Sequence, residues 1–206
     1  IAARGLAHRA YLLAGAVVVF APILREMIPA GRLGAGVSTA QFLAFEVGLA
    51  LFAVFARRAS TVSAKGPGLA LTVLAVVSAG CGLWISVFLG TDRAVFLPLA
   101  PDIVGVACFT LVAVLLAGVF VGGRPIAYLA AAAIVLGYVG LVLGAGGGAV
   151  LPVASYANYL VYGSEGLLGR ALDIMVDPVL AFVLFGAVFE ASGGGRAISR
   201  VALRIA

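Results

Sequence analysis

Four carboxylates have the clearest capacity for chemistry in this chain, because each lies within or beside an apolar stretch. They are Glu46, Asp102, Glu165 and Glu190. A carboxylate held in an apolar layer can bind a proton or a cation, and it is costly there unless it is paired or hydrated. Glu46 stands near the middle of its stretch. Two interpretations of it remain open: a role in transport, or a structural contact with a neighbouring helix or subunit.

The other carboxylates lie closer to the ends of apolar stretches. Asp102 stands just before one of them, where a negative charge suits the start of a helix. Glu190 lies near the end of the last stretch, close enough to the boundary to reach lipid headgroups, although a transport role is also open for it. All four acids are therefore candidate polar sites, with Glu46 the deepest.

No pattern for covalent or metal catalysis occurs in the sequence. The chain has one histidine, His8, and neither an HExxH nor a GxSxG motif. Cys81 and Cys108 lie inside apolar stretches without a CxxC pair, which is typical of small buried apolar residues. We therefore expect no catalytic residue, no metal site and no cofactor.

The composition places these residues in a membrane protein. Hydrophobic residues make up 64% of the chain and charged residues only 10%, whereas soluble domains carry about 25% charged residues. Apolar stretches close to the length of a bilayer crossing recur along the chain. The sequence therefore predicts an all-α, polytopic transmembrane helical bundle whose surroundings are a lipid bilayer. The net charge of +5 comes from residues that flank these stretches, so it does not indicate nucleic acid.

Six spanning helices are predicted. They cover residues 11–28, 40–56, 69–89, 103–121, 126–143 and 176–191. Pro22 is expected to interrupt the first span. The small residues Ser78 and Gly82 in the third span, and Gly140 and Gly144 in the fifth, are spaced to allow close approach of another helix.

The basic residues predict the orientation of the six spans. With both termini in the cytoplasm, nine of the 13 basic residues lie inside: Arg4, Arg9, Arg57, Arg58, Lys65, Arg124, Arg196, Arg200 and Arg204. Arg25, Arg32, Arg93 and Arg170 lie outside. This asymmetry follows the positive-inside rule, so we expect both termini to be cytoplasmic.

The stretch around the last span has its own pattern. Tyr156, Tyr159 and Tyr162 recur at every third position, which suits the boundary between membrane and water. The glycine-rich residues 144–148 are predicted to be a flexible link. Arg196, Arg200 and Arg204 form a basic stripe that suits a helix resting on anionic headgroups.

The run EGLLGRALDIMVDPVLAFVLFGAVFEASGGG, residues 165–195, resembles a known family. It is similar to the segment that opens the large membrane domain of fused tripartite ATP-independent periplasmic (TRAP) transporter permeases of the TAXI type. The matching positions are Glu165, Gly166, Gly169, Phe185, Gly186, Ala187 and Glu190. APDIVGV at residues 100–106 resembles the family's entry to its fourth helix, and PIAYLAAAAIVLGYVG resembles the helix that joins the small and large parts.

The resemblance implies both an organisation and a function. Residues 1–125 correspond to the small four-helix part, 126–148 to a connecting helix with its glycine link, and 149–206 to the start of the transport domain. Such permeases use a sodium gradient to import organic acids, such as dicarboxylates, across the bacterial inner membrane, with a periplasmic solute-binding protein as partner. The chain begins at Ile1 rather than Met, so we expect a fragment whose substrate-binding residues and remaining permease domain follow Ala206. The alternative is a non-transporting scaffold subunit that packs against a larger partner.

Overall fold

The computed structural model describes residues 2–27, 38–62, 65–90, 100–144 and 152–195. Within these ranges no strand occurs and the regular elements are helical, which confirms the all-α prediction. The elements are α1 (Ala2–Met27), α2 (Thr39–Thr61), α3 (Lys65–Leu89), α4 (Pro101–Val121), α5 (Arg124–Gly144), α6 (Val153–Tyr162), α7 (Arg170–Ile174), the π-helical turn Met175–Val179, and α8 (Leu180–Ala191).

Five helices in the described ranges are long and apolar enough to cross a membrane. They are Thr39–Thr61, Gly66–Leu89, Pro101–Val121, Arg124–Gly144 and the continuous helix Arg170–Ala191. The prediction of a multi-pass membrane protein is confirmed to this extent. The first predicted span lies in α1, whose apolar part, His8–Ile23, is shorter than the others. A membrane crossing by α1, which would make six in total, stays a prediction, and so does the orientation of the termini.

Proline does not interrupt these helices in the way the sequence suggested. Helix α1 continues through Pro22 to Met27, so the predicted break is wrong. The last span begins at Arg170 rather than at residue 176, and Pro178 lies inside its π-helical turn. Membrane helices tolerate proline because neighbouring groups and local π adjustments satisfy the backbone.

Helices α2 and α3 approach each other closely at a point where each helix has a glycine. A Cβ atom placed on Gly82 would lie 2.5 Å from the Cα atom of Gly48, and Gly48 also approaches the carbonyl of Ser78. This confirms the predicted close approach at Ser78 and Gly82 and identifies Gly48 as the partner. A Cβ atom placed on Gly140 or Gly144 would have no atom of another described element within 4 Å. The second predicted packing row therefore contacts no other described helix.

The start of α2 is fixed to α3 by side-chain hydrogen bonds. The Ser38 hydroxyl accepts from the Gln41 N–H at 3.3 Å, and the Ser38 N–H donates to Gln41 Oε1 at 2.7 Å. This capping box satisfies backbone donors that the first turn of a helix leaves free. Gln41 Nε2 also donates to the Ser86 carbonyl of α3 at 3.1 Å. One side chain thus both starts α2 and ties it to α3.

The short helix α6 and the turn after it pack into the bundle. Helix α6 contacts α4, and the turn at residues 163–169 carries Leu168 back into a buried cluster. This cluster takes one residue from each of α2, α3, α4 and α6, namely Ala44, Ile85, Ala107 and Val161. The first part of residues 165–195 is therefore joined to the core of the preceding helices.

Glycine is required in this turn by close contacts between backbone atoms. A Cβ atom on Gly166 would lie 2.6 Å from the Leu160 carbonyl oxygen, and one on Gly169 would overlap the Ser164 carbonyl. The Arg170 N–H donates to that Ser164 carbonyl at 3.0 Å. The chain can reverse direction this tightly because no side chain stands between these backbone segments.

Two of the three regularly spaced tyrosines hold α6 in place. Tyr156 Oη donates to the Ile134 carbonyl of α5 at 2.9 Å. Tyr162 Oη donates to the Ile103 carbonyl of α4 at 3.5 Å, a long and weak hydrogen bond. Tyr159 is 52% exposed. Tyr156 and Tyr162 therefore take part in helix packing, and the position at a membrane boundary stays a prediction for all three tyrosines.

Some sequence predictions lie outside the described residues. These are most of the glycine link at 144–148 and the basic stripe of Arg196, Arg200 and Arg204. The three-part division at residues 1–125, 126–148 and 149–206 also stays a prediction.

Candidate functional site

Glu46 is buried in α2, as its position in the sequence predicted. It is only 3% exposed, and its Oε1 atom has no hydrogen-bond partner among the described residues. The neighbouring Leu43 and Ala44 are each 1% exposed. A carboxyl group in such surroundings is costly unless it is neutral, paired or hydrated. This combination makes Glu46 the centre of the candidate site.

Helix α1 lies against the face of α2 that carries Glu46. Arg25 Nη2 donates to Thr39 Oγ1 at 2.9 Å, and the Arg25 guanidinium carbon lies 4.8 Å from the centroid of the Phe42 ring. Residues four apart share a helix face, so Phe42 lies one turn before Glu46, and Thr39 roughly two turns before. The Arg25 Nη1 atom is buried and has no hydrogen-bond partner in the described ranges. The site therefore combines a buried acid with a nearby cation.

The opposite face of α2 borders a small cavity. Its volume of about 10 Å³ is enough for roughly one water molecule. The hydroxyls of Ser78 and Thr110 already donate to the carbonyls of Leu74 and Val106, each at 2.8 Å. The lining residues are Ala44, Val47, Gly48, Leu51, Ser78, Cys81, Gly82, Ile85, Phe109, Thr110 and Leu168. This space is too small and too apolar to hold an organic acid.

The other three candidate acids do not join Glu46. Asp102 is exposed in the first turn of α4, which confirms its predicted place at a helix start. Glu165 is exposed in the turn after α6, and Glu190 is exposed in the last turn of α8. The structure thus places one predicted site residue in the interior and three at the ends of helices or in a turn.

Two residues of interest were not singled out by the sequence. Asn158 of α6 is 5% exposed, and its Oδ1 atom has no hydrogen-bond partner among the described residues. Arg25 was considered only as one of the basic residues on the outer side, whereas it contacts Thr39 and Phe42 of α2. An arginine within a few residues of the end of an apolar stretch, followed by an acid in the next stretch, was the available signal for this pair.

The described residues contain no group of three or more His, Cys, Asp or Glu side chains that could hold a metal ion. Comparison of the chain with protein-family models, with curated proteins and with solved structures gave no match. Function is therefore inferred from the residues themselves and from the packing around them.

Proposed function

We propose that this chain is the bracing part, together with the first helix of the transport part, of a sodium-coupled permease. The complete permease would import organic acids, such as dicarboxylates, across the bacterial inner membrane and receive them from a periplasmic solute-binding protein. The observation that carries this proposal is the residue match over 165–195. In the same segment the turn at residues 163–169, which carries the buried Leu168, is followed by an apolar helix whose surface is exposed.

The turn at residues 163–169 is suited to a bracing role. Leu168 is 6% exposed and belongs to one cluster with buried residues of α2, α3 and α4. A leucine in such a position contributes about 2–5 kcal/mol relative to alanine. The start of the last span is therefore attached firmly to the preceding helices, as a fixed support for moving parts requires.

The exposed span Arg170–Ala191 is suited to packing against further membrane helices. None of the apolar window of Arg170–Ala191 is buried, and Phe182 and Phe185 are 76% and 69% exposed. In secondary transporters one group of helices moves against another around a central binding site. A helix anchored at one end and apolar on its remaining surface can join such a group, which would carry the substrate and sodium sites.

Sodium-driven uptake by the full-length permease tests the proposal. The protein would be reconstituted in liposomes with its binding protein and a labelled dicarboxylate, and uptake would be measured with and without an inward sodium gradient. We expect sodium-dependent uptake that decreases severalfold in Leu168→Ala. Val183→Ala is the matched control, because Val183 is 60% exposed, and it should transport normally. Uptake at the same rate with and without the sodium gradient would refute the proposed function.

A scaffold subunit is the second candidate, and one observation favours it. Only 6% of the apolar window of α5 is buried, and Gly140 and Gly144 are open to an incoming helix. A scaffold should co-purify with a larger membrane protein and lose it on Gly140→Leu. The importer should instead keep its uptake when Gly140 alone is changed and lose uptake when the Leu168 anchor is changed.

A further inference from the structure

The neighbours of Glu46 across the interface follow from how α1 and α2 pack. Arg25, near the end of α1, contacts Thr39 and Phe42 near the start of α2. Tyr11, towards the other end of α1, packs against the buried cluster that contains Leu51 and Phe55 of α2. The two helices therefore run antiparallel, and Glu46 lies between these two levels.

The turn of α1 at this intermediate level contains Pro22. At a rise of about 1.5 Å per residue in both helices, Glu46 lies level with the turn from Val18 to Pro22. Pro22 is buried and has no N–H, so it cannot donate to the Val18 carbonyl four residues earlier. Helix α1 thus offers a carbonyl acceptor without its usual helical donor at the depth of the Glu46 carboxyl group.

The general tilt of helical side chains favours an approach between Arg25 and Glu46. Side chains on a helix tilt towards its N-terminus, so in an antiparallel pair Arg25 points deeper along α1 and Glu46 points back along α2. The Phe42 ring, which Arg25 covers at 4.8 Å, lies one turn before Glu46. A change in the position of Arg25 over Phe42 would bring its unpartnered Nη1 atom towards the carboxyl group.

We propose that Glu46 is a proton-binding site and that Arg25 is its charge partner. In the protonated form the Glu46 carboxyl donates to the Val18 carbonyl, and Arg25 stays over Phe42. On release, the carboxyl O–H bond breaks and the proton passes to water at the partly exposed Arg25 end of the interface. The carboxylate then carries a negative charge, and Arg25 moves to pair with it.

Other ionisable groups lie on the elements around this interface. On α1 itself His8 stacks on Tyr11 at a ring-centroid distance of 5.2 Å, towards the opposite end of the helix. The π-helical turn that contacts α1 carries Asp177. On α3, Cys81 lines the cavity on the other face of α2. Arg25 is distinguished from these groups because it contacts residues on the Glu46 face itself.

The test uses the hydrophobic reagent dicyclohexylcarbodiimide, which modifies protonated carboxyl groups within the membrane. The chain would be placed in phosphatidylcholine nanodiscs, treated in mildly alkaline buffer and analysed by peptide mass spectrometry. We expect modification at Glu46 and none at that position with a water-soluble carbodiimide. Absence of modification at Glu46 at every pH would overturn the proton site.

Substitutions of the two partners should move the modification in opposite directions. Arg25→Met removes the charge that stabilises the carboxylate, so modification of Glu46 should rise about tenfold in alkaline buffer. Pro22→Ala restores the helical donor to the Val18 carbonyl, so modification should fall.

Arg124→Met is the matched control, because Arg124 is exposed at the start of α5, and it should change nothing. Arg25→Lys keeps the charge, so its Glu46 should be modified to the same extent as in the original chain. Circular dichroism would compare the helix content of Arg25→Met with that of the original chain, to exclude misfolding as the cause of a change. Equal modification in the original chain and in a folded Arg25→Met protein would overturn the role of Arg25.

Discussion

Helix α3 and the last span have the same mean hydropathy but different surroundings. Both have a value of 2.1, yet 28% of the apolar window is buried in Gly66–Leu89 and none in Arg170–Ala191. Helix α2 is the least apolar of the five, at 1.8, and the most buried, at 39%. Apolarity therefore identifies which helices enter a membrane but does not identify which of them pack together.

Small and polar residues account for the difference between the two regions. In lipid the hydrophobic effect does not drive helices together, so association depends on close fit and on polar contacts. The packed region places Gly48 against Gly82 and buries Glu46, Ser78 and Thr110. The last span instead presents large exposed side chains, with Phe182 and Phe185 among them.

The largest expected effect contrasts a glycine of the packed region with a glycine on α5, a helix of which only 6% of the apolar window is buried. Gly82→Leu should destabilise the protein by about 3 kcal/mol, because its side chain would enter the backbone of α2 at Gly48. Gly140→Leu on α5 should cost little, since no described atom lies within 4 Å of that position. Unfolding in mixed detergent micelles, followed by circular dichroism, measures both. Similar losses for the two variants would mean that α5 packs as tightly as α3.

A smaller effect is expected in the turn that joins the two regions. Gly169→Ala should cost about 2 kcal/mol, because the added methyl group would overlap the Ser164 carbonyl. Gly186→Ala in α8 is the control, since its surroundings are open within 4 Å, and it should be neutral or slightly stabilising. Limited proteolysis after α6 would report the loosened turn directly. Resistance of Gly169→Ala equal to that of the control would contradict the close contact.

The smallest effect tests how α6 is attached to α5. Tyr156→Phe removes the hydrogen bond to the Ile134 carbonyl and should destabilise the protein by about 0.6 kcal/mol, a usual value for such contacts in membranes. Tyr159→Phe, at a tyrosine that is 52% exposed, should leave the unfolding curve unchanged. The difference between the two curves is the quantity to measure. A larger loss at Tyr159 would reverse the assignment of these two side chains.

The sequence predicted the positions of the spans well, because hydropathy depends on composition over about twenty residues. The bounds of α4 and α5, Pro101–Val121 and Arg124–Gly144, lie within two residues of the predicted ones. Helix α6 was not predicted as a helix, because it is short and contains polar residues such as Ser155 and Asn158. The effect of Pro22 was also predicted wrongly, because the neighbouring groups that allow a helix to continue through proline are not visible in the sequence.

The candidate site was predicted in part. The depth of Glu46 followed from its place in the second apolar stretch. Its neighbours did not, because they depend on which face of α2 meets α1 and on the register between the two helices. Arg25 lies about twenty residues earlier in the chain, and only the packing of α1 places it on the Glu46 face.

The pocket that holds Leu168 has a consequence for how the protein is made. Its walls come from Ala44, Ile85 and Ala107, which lie on three separate helices. The pocket exists only after those helices have left the translocon and assembled. Because synthesis proceeds from the N-terminus and earlier parts fold first, Leu168 can dock only after these three helices have come together, so a defect that keeps them apart also leaves the last span unattached.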